Sequence, residues 1–191
     1  MGLWLAQECR RTWAHAGEEL SYNEITQLAA EAAPLRSIID VDDHEFLKPG
    51  DMPARIQVYC QRTQQPVPES KGAIVRCVLE SLALKYRWVL ERLEEMLQYR
   101  LEPIHIIGGG TQNRLLNQFT ADATDRSVVA GPIEATAIGN VLMQAIGLDH
   151  LNSLTAARAV VRQSFQLEKY EPHASAEWAT AYLKMRERIH A

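Results

Sequence analysis

Residues 108–110 are three consecutive glycines between the apolar run 104-IHII-107 and the helical pattern that opens at 111-TQNRLLNQF-119. A turn stripped of side chains leaves backbone N–H groups pointing outward at a helix start. That end of a helix carries roughly half a positive charge from its aligned peptide dipoles. Phosphate is the natural guest. Tight packing of the turn against a neighbouring element calls for the same glycines. A G-x-x-x-x-G-K-[ST] phosphate loop is excluded, because no lysine follows. The dinucleotide pattern G-x-G-x-x-G is met at Gly108 and Gly110 but fails at Asn113, and the next strand ends in Ala130-Gly131 where an acid is expected.

A second cluster, Asp40, Asp42, Asp43 and His44, lies in the loop 40-DVDDHE-45. The calcium-loop register puts Glu45 where glycine is required and Asp51 where glutamate belongs. A solvated turn is expected there, with no dedicated metal. His105 sits inside the strand before the glycines and reads as a core or edge histidine, not a catalytic one. Cys9, Cys60 and Cys77 form no C-x-x-C pair and give no zinc site.

The chain has 191 residues, 47% hydrophobic and 23% charged, enough for one domain with appended helices. Its net charge is −4 and no basic block stands out, so nucleic acid is not an expected partner. Met1 to Ala6 is apolar but too short for a signal-peptide core. No apolar run approaches the length of a membrane span. These features, with few cysteines, predict a cytoplasmic protein.

The elements that must position these residues follow from caps and periodicity. A first helix begins within the first three residues and ends at Gly17. Ser21 and Glu24 form a capping box for a helix over Tyr22–Ala32. Arg36 to Val41 is a short strand or extended segment. Asp51 caps a helix to Gln64, and Ser70 starts the longest one, to Tyr99. In that helix Val75, Val78, Leu79, Leu82, Tyr86, Val89, Leu90, Leu93 and Leu97 make the apolar stripe. Glu80, Arg87, Glu91 and Glu94 are expected on the opposite face. A strand over Ile104–Ile107, a helix over Thr111–Ala123, a strand over Arg126–Ala130 and a small-residue helix over Ile133–Ile146 follow. Ser153 caps a further helix, and the last carries Trp178, Tyr182, Met185 and Ile189 on one stripe. Two or three strands are few for so many helices, so either partner strands are missing or the fold is mostly helical.

The turn 65-QPVPES-70 joins two of these helices. Cys60 and Cys77 lie nearly equidistant from its centre, so an antiparallel hairpin brings them level. Their Cα atoms are expected within about 7 Å, a separation that permits a disulfide.

The block from Ile104 to Gly147 resembles the C-terminal, ATP-binding half of the FGGY family of carbohydrate kinases. The likeness rests on 108-GGGTQN-113, 118-QFTAD-122, 132-PIEATAIGN-140 and the preceding helix with 78-VLESLALKY-86. The strings 2-GLWLAQ-7, 37-SIIDVDDHEFLKPGDM-52 and 66-PVPES-70 are similar to the subgroup that phosphorylates rhamnulose. The resemblance implies an α/β, helix-rich fold: an incomplete actin-like (ribonuclease H-like) ATPase domain over residues 1–172, truncated on its N-terminal side, with a C-terminal helix over 173–191. It implies ATP and Mg2+ as cofactors.

Residue by residue, the resemblance makes Gly109 the nucleotide contact, flanked by Gly108 and Gly110. It sets Asn113 beside the adenosine and has Gln7 reach the nucleotide. It sets Glu134 and Thr136 where the following helix starts near the nucleotide; of a nucleotide contact and a helix cap, the cap is expected, and Ala135, Ala137 and Gly139 are expected to pack closely. The family's catalytic aspartate and most sugar contacts lie upstream, so no catalytic residue is expected in this chain. The implied function is the ATP-binding portion of a kinase converting L-rhamnulose to L-rhamnulose 1-phosphate, inactive alone and meeting its sugar through the missing N-terminal half. A nicotinamide-dinucleotide domain and a non-enzymatic helical interaction module are the competing functions.

Overall fold

Most helices begin where the sequence supplies a cap. The computed structural model describes residues 2–173 and 176–189. Helix α1 spans Trp4–His15, and Gly17, at φ +89°, turns the chain just beyond it. Helix α2, Tyr22–Glu31, starts on the expected capping box: Glu24 N–H donates to Ser21 Oγ at 3.2 Å and Ser21 N–H to Glu24 Oε2 at 2.7 Å. Helix α3, Met52–Arg62, and helix α4, Lys71–Leu97, are capped by Asp51 and Ser70. Each such cap contributes about 1 kcal/mol.

The segment before α3 has strand-like burial without a strand partner. Ile38, Ile39 and Val41 are buried, and side chains take the place of a ladder. Ile38 exchanges two 2.8 Å hydrogen bonds with the Gln65 amide. Ile39 N–H donates to Ser81 Oγ and Asp40 N–H to the Tyr59 hydroxyl. Every buried backbone group needs some partner, and here it is polar side chains of α3, α4 and their connection.

Strand β1, Ile104–Ile106, leads through the glycine turn into α5, Arg114–Thr124, and then β2, Val128–Ala130. Helices α6, Ala135–Gly147, and α7, Leu154–Ser164, precede strand β3, Glu168–Tyr170, and helix α8, Ala176–Ile189. The sheet runs β1-β2-β3. The β1–β2 pair is parallel, with His105 opposite Val129. The β2–β3 pair is antiparallel, with Val129 opposite Lys169. Strand β3 was not expected; its three residues, Glu168-Lys169-Tyr170, carry no hydrophobic alternation. Among the described residues no strand pairs with the outer edge of β1.

Helix α4 is the spine. Val75, Val78, Leu79 and Leu82 are buried as expected, and Ile74 with them, against Leu5 and Cys9 of α1, Ile25 and Ala29 of α2, Ile56 of α3 and Leu116 and Phe119 of α5. Residues 72, 76 and 80 share the face turned to α2. Gly72 allows the contact: a Cβ there would lie 2.3 Å from the Leu28 carbonyl oxygen.

Two expectations for α4 need correction. Glu80 is buried, not solvated. It accepts from Arg76 Nε at 2.7 Å and from Leu35 N–H at 2.9 Å. Burial pushes its carboxyl up to about 6, with Arg76 and the Leu35 N–H pulling the other way. Beyond Leu84 the two faces exchange roles. The apolar stripe at Tyr86, Val89, Leu93 and Leu97 is exposed. The charged face packs instead: Arg87 and Glu91 meet Tyr182 of α8, and Glu94 takes both Arg126 Nη2 contacts at 3.0 Å. The spacing correctly marked a stripe that wants a partner, but no described element covers its second half.

Helix α6 repeats the pattern. It has no buried residue, and a Cβ on Gly139 would meet nothing within 4 Å. The small residues at 135, 137 and 139 therefore do not pack closely against the described residues. Helix α8 docks as its stripe predicts, with Trp178, Tyr182 and Met185 buried and the Trp178 ring 5.5 Å from that of Phe119. The side chain of Ile189 lies outside the described residues. No described helix is long and apolar enough to cross a membrane.

Cys60 and Cys77 face each other across the α3–α4 hairpin, both buried and both free thiols. Each lies near enough to shift the other: Cys77 lowers the Cys60 thiol, and Cys60, together with burial, raises that of Cys77. A cavity of about 320 Å³ lined by Ser37, Pro66 and Cys77 gives a small oxidant access. Treating the folded chain with diamide is expected to remove one pair of thiols and two hydrogens, read by thiol titration and intact mass. Loss of no thiol, or a bridge involving Cys9, would show that the pair does not close.

Candidate functional site

The three glycines do not extend α5. Gly108–Gln112 winds as a 3-10 turn, and the α-helix begins only at Arg114. The expected helix start at Thr111 is thus three residues early. Thr111 is buried, and its hydroxyl donates to the Gly108 carbonyl at 2.7 Å. Buried Asn117 donates from Nδ2 to the Thr111 carbonyl at 2.9 Å. These two residues, which the sequence did not single out, hold the turn's shape. Gly108 N–H donates to the Pro132 carbonyl at 3.3 Å, which stitches the turn to the loop after β2.

The glycines differ in what requires them. Gly108 has φ +76°, a conformation side chains disfavour. Gly109 does not, and a Cβ there would meet nothing within 4 Å. Gly110 would make only an ordinary 3.8 Å contact with Ile106. Neither packing nor dihedral demands glycine at position 109.

The space in front of Gly109 is a cavity of about 780 Å³. Gln7, Gly109, Gly110 and Asn113 all line it, so four of the five expected site residues converge. Gly108 stands behind them and sets the turn. Gln7 is exposed at the rim, and among the described residues its side chain makes no hydrogen bond. Asn113 is the N-cap of α5: its Oδ1 accepts from Leu116 N–H at 3.0 Å, which leaves its amide Nδ2 as the free donor.

The opposite wall is α2, through Tyr22, Asn23, Thr26, Gln27 and Ala30. Sequence reasoning found this helix but not its role. The signal was its uncharged polar residues 23, 26 and 27 on an exposed face. Among the described residues no carboxylate and no cysteine lines the cavity. Its chemistry is amide hydrogen bonding, one aromatic ring and the Arg114 cation. It can hold a neutral or anionic ligand but offers no general base.

The other expected residues lie elsewhere. Glu134 flanks α6 without a side-chain cap bond, so it is no capping residue. It lines a second cavity of about 480 Å³, with Arg114 and Glu168. There the Tyr170 hydroxyl and Arg114 hold the Glu168 carboxyl below the usual range. Thr136 is exposed. His105 is exposed in the middle of β1. In the acidic loop Asp43, His44 and Glu45 come within 4.8 Å of one another. Arg62 pairs with Asp43 and Glu45, and Lys85 with Asp40 and Asp42, so these acids have protein counter-charges.

The model of the C-terminal domain of the FGGY family of carbohydrate kinases matches residues 1–148. The chain belongs to the FGGY family. Among curated FGGY relatives, the rhamnulokinase of Bacteroides thetaiotaomicron is 46% identical over 95% of this chain. That of Enterococcus faecalis is 44% identical over 90%. The chain spans only 37% and 34% of those two proteins, about a third of their length. Among solved structures, xylulose kinase from Rhodospirillum rubrum superposes over the whole chain with a TM-score of 0.65 at 19% identity, the chain covering 38% of it. Plasmodium falciparum glycerol kinase with ADP gives 0.61 at 18% identity, over 88% of this chain and 34% of that one. The fold is therefore that of the FGGY kinases, helix-rich with a small mixed sheet of the actin-like ATPase type.

Proposed function

We propose that this chain is the ATP-holding portion of a sugar kinase that transfers the γ-phosphoryl group of ATP to L-rhamnulose, giving L-rhamnulose 1-phosphate. The observation that carries the reading is Gly109: a glycine that neither its dihedral nor any described neighbour requires, facing a cavity walled by amides. Residues 1–172 form the nucleotide-holding unit, and α8 belongs to a segment appended after it. The nucleotide lies against Gly109 and Gly110, with Gln7 and the Asn113 amide donating to it. The residues present fit such a ligand, since bare backbone admits its approach and amides match the donors and acceptors of a base and ribose. Bound ATP supplies the phosphoryl group. Mg2+ would sit on its phosphates, held by groups other than this cavity's lining. The sugar specificity rests on the relatives' names, rhamnulokinases in both species given above.

Titrating the chain with ATP and, separately, with NAD tests the nucleotide reading. ATP is expected to bind the more tightly; tighter NAD would replace the kinase reading with a nicotinamide one, and binding of neither would favour an interaction module.

A second test concerns turnover. Phosphoryl transfer needs a group to orient the attacking hydroxyl and accept its proton, and the cavity has no carboxylate to do so. The 191-residue chain is expected to give no ATP-dependent phosphorylation of L-rhamnulose above the protein-free blank. Robust turnover by the purified chain would show that its own residues complete the site.

A further inference from the structure

The cavity before Gly109 is walled by α2 and α5, and both pack on α4. Helix α2 packs on α4 and makes at most a few contacts with any other element. Its position, and so the width of the cavity, depends mainly on that interface, with Arg10 of α1 stacked over the Tyr22 ring at the other end. Its N-terminus is closed by its own capping box. The carbonyls of its last turn need other partners.

The Ala32 N–H serves Ala29 at 3.3 Å, and one side chain serves both Ala29 and Ala30. Arg76 Nη1 donates to the Ala29 and Ala30 carbonyls at 3.1 and 3.0 Å. Ala30 is itself part of the cavity wall. The same guanidinium sits over the Phe119 ring of α5, 5.1 Å from its centroid. Phe119 follows Gln118, which lines the cavity from the other side. Arg76 Nε is fixed by buried Glu80, whose second oxygen accepts the Leu35 N–H just beyond α2. A guanidinium can do all three things at once because its donors are forked and its face is flat. A positive charge also suits the C-terminal end of α2.

We propose that Arg76, which does not line the cavity, is a positioning residue for nucleotide binding: it ties the α2 wall to the α5 wall and sets the gap the nucleotide enters. This rests on the ATP reading of the cavity.

The test is ATP affinity of the 191-residue chain, by calorimetry, alongside its melting temperature. Arg76→Met keeps the length and removes the fork, and is expected to weaken ATP binding about tenfold or more. Arg76→Lys keeps the charge but reaches one partner at a time, and is expected to fall between; it keeps the test available if Arg76→Met does not fold. Ile56→Val, in the α3 core away from the cavity, controls for stability. Its ATP affinity is expected within about twofold of wild type even where its melting temperature falls. Faster hydrogen exchange in α2 should accompany the Arg76 variants and not the control. If Gly109→Val abolishes binding while Arg76→Met and Arg76→Lys bind like wild type, the positioning role is overturned and the ATP reading stands. If Ile56→Val loses as much affinity as Arg76→Met, Arg76 acts only through stability and the role is again overturned. A wild-type chain that binds no ATP overturns both.

Discussion

The Gly72→Ala variant is expected to be less stable than the wild-type chain by about 2 kcal/mol or more. The sign is the informative part. In a helix interior, glycine to alanine ordinarily stabilises by about 1 kcal/mol. At Gly72 the added Cβ would lie 2.3 Å from the Leu28 carbonyl oxygen and 2.7 Å from its carbon. Both are backbone atoms of α2 and cannot rotate away, so the helices must separate. Separation loosens the packing around Ile25, Ala29, Val75 and Val78. Gly139 in α6 is the matched contrast, because a Cβ there meets nothing. Gly139→Ala should follow the ordinary propensity and leave the chain as stable or slightly more so. Urea melts of the two variants measure the difference, and a Gly72→Ala chain at least as stable as wild type would mean that α2 and α4 are further apart than described.

Gly109→Val is the larger effect on binding. A branched side chain in front of the turn fills the space that the ligand needs. It should reduce ATP affinity at least about a hundredfold, since it combines a steric clash with loss of backbone hydrogen bonds. The fold should survive: the position has no left-handed dihedral and no neighbour within 4 Å of the new Cβ. An unchanged melting temperature with lost ATP binding is the expected pair of results. Unchanged affinity would mean that the nucleotide does not meet the turn here.

Much of this could be read from the chain because it is local. Ser21-Tyr22-Asn23-Glu24 fixes the start of α2 by two hydrogen bonds within four residues. Asp51, Ser70 and Ser153 do the same for their helices with one each. The glycine turn was legible for the same reason. What escaped was long-range. Strand β3 exists only because Glu168–Tyr170 finds the edge of β2, and its own residues say little. Glu80 was expected only on the face opposite the apolar stripe, where a helical glutamate is usually exposed. Its burial depends on the Leu35 N–H, 45 residues away in sequence. The α2 wall of the cavity needed the fold, since Gln7, Asn23 and Gly109 come together only across three elements.

Helix α4 joins two regimes within one unbroken run of backbone hydrogen bonds. Residues 72–84 lie in the core, and residues from 86 onward turn their apolar stripe to solvent. The free energy needed to open a backbone amide follows local burial. Amides around Val78 and Leu79 therefore open only with the whole molecule, while those around Leu93 and Leu97 can open alone. A single helix thus spans two cooperative units, and the boundary between them falls near Lys85, where the core of this chain stops.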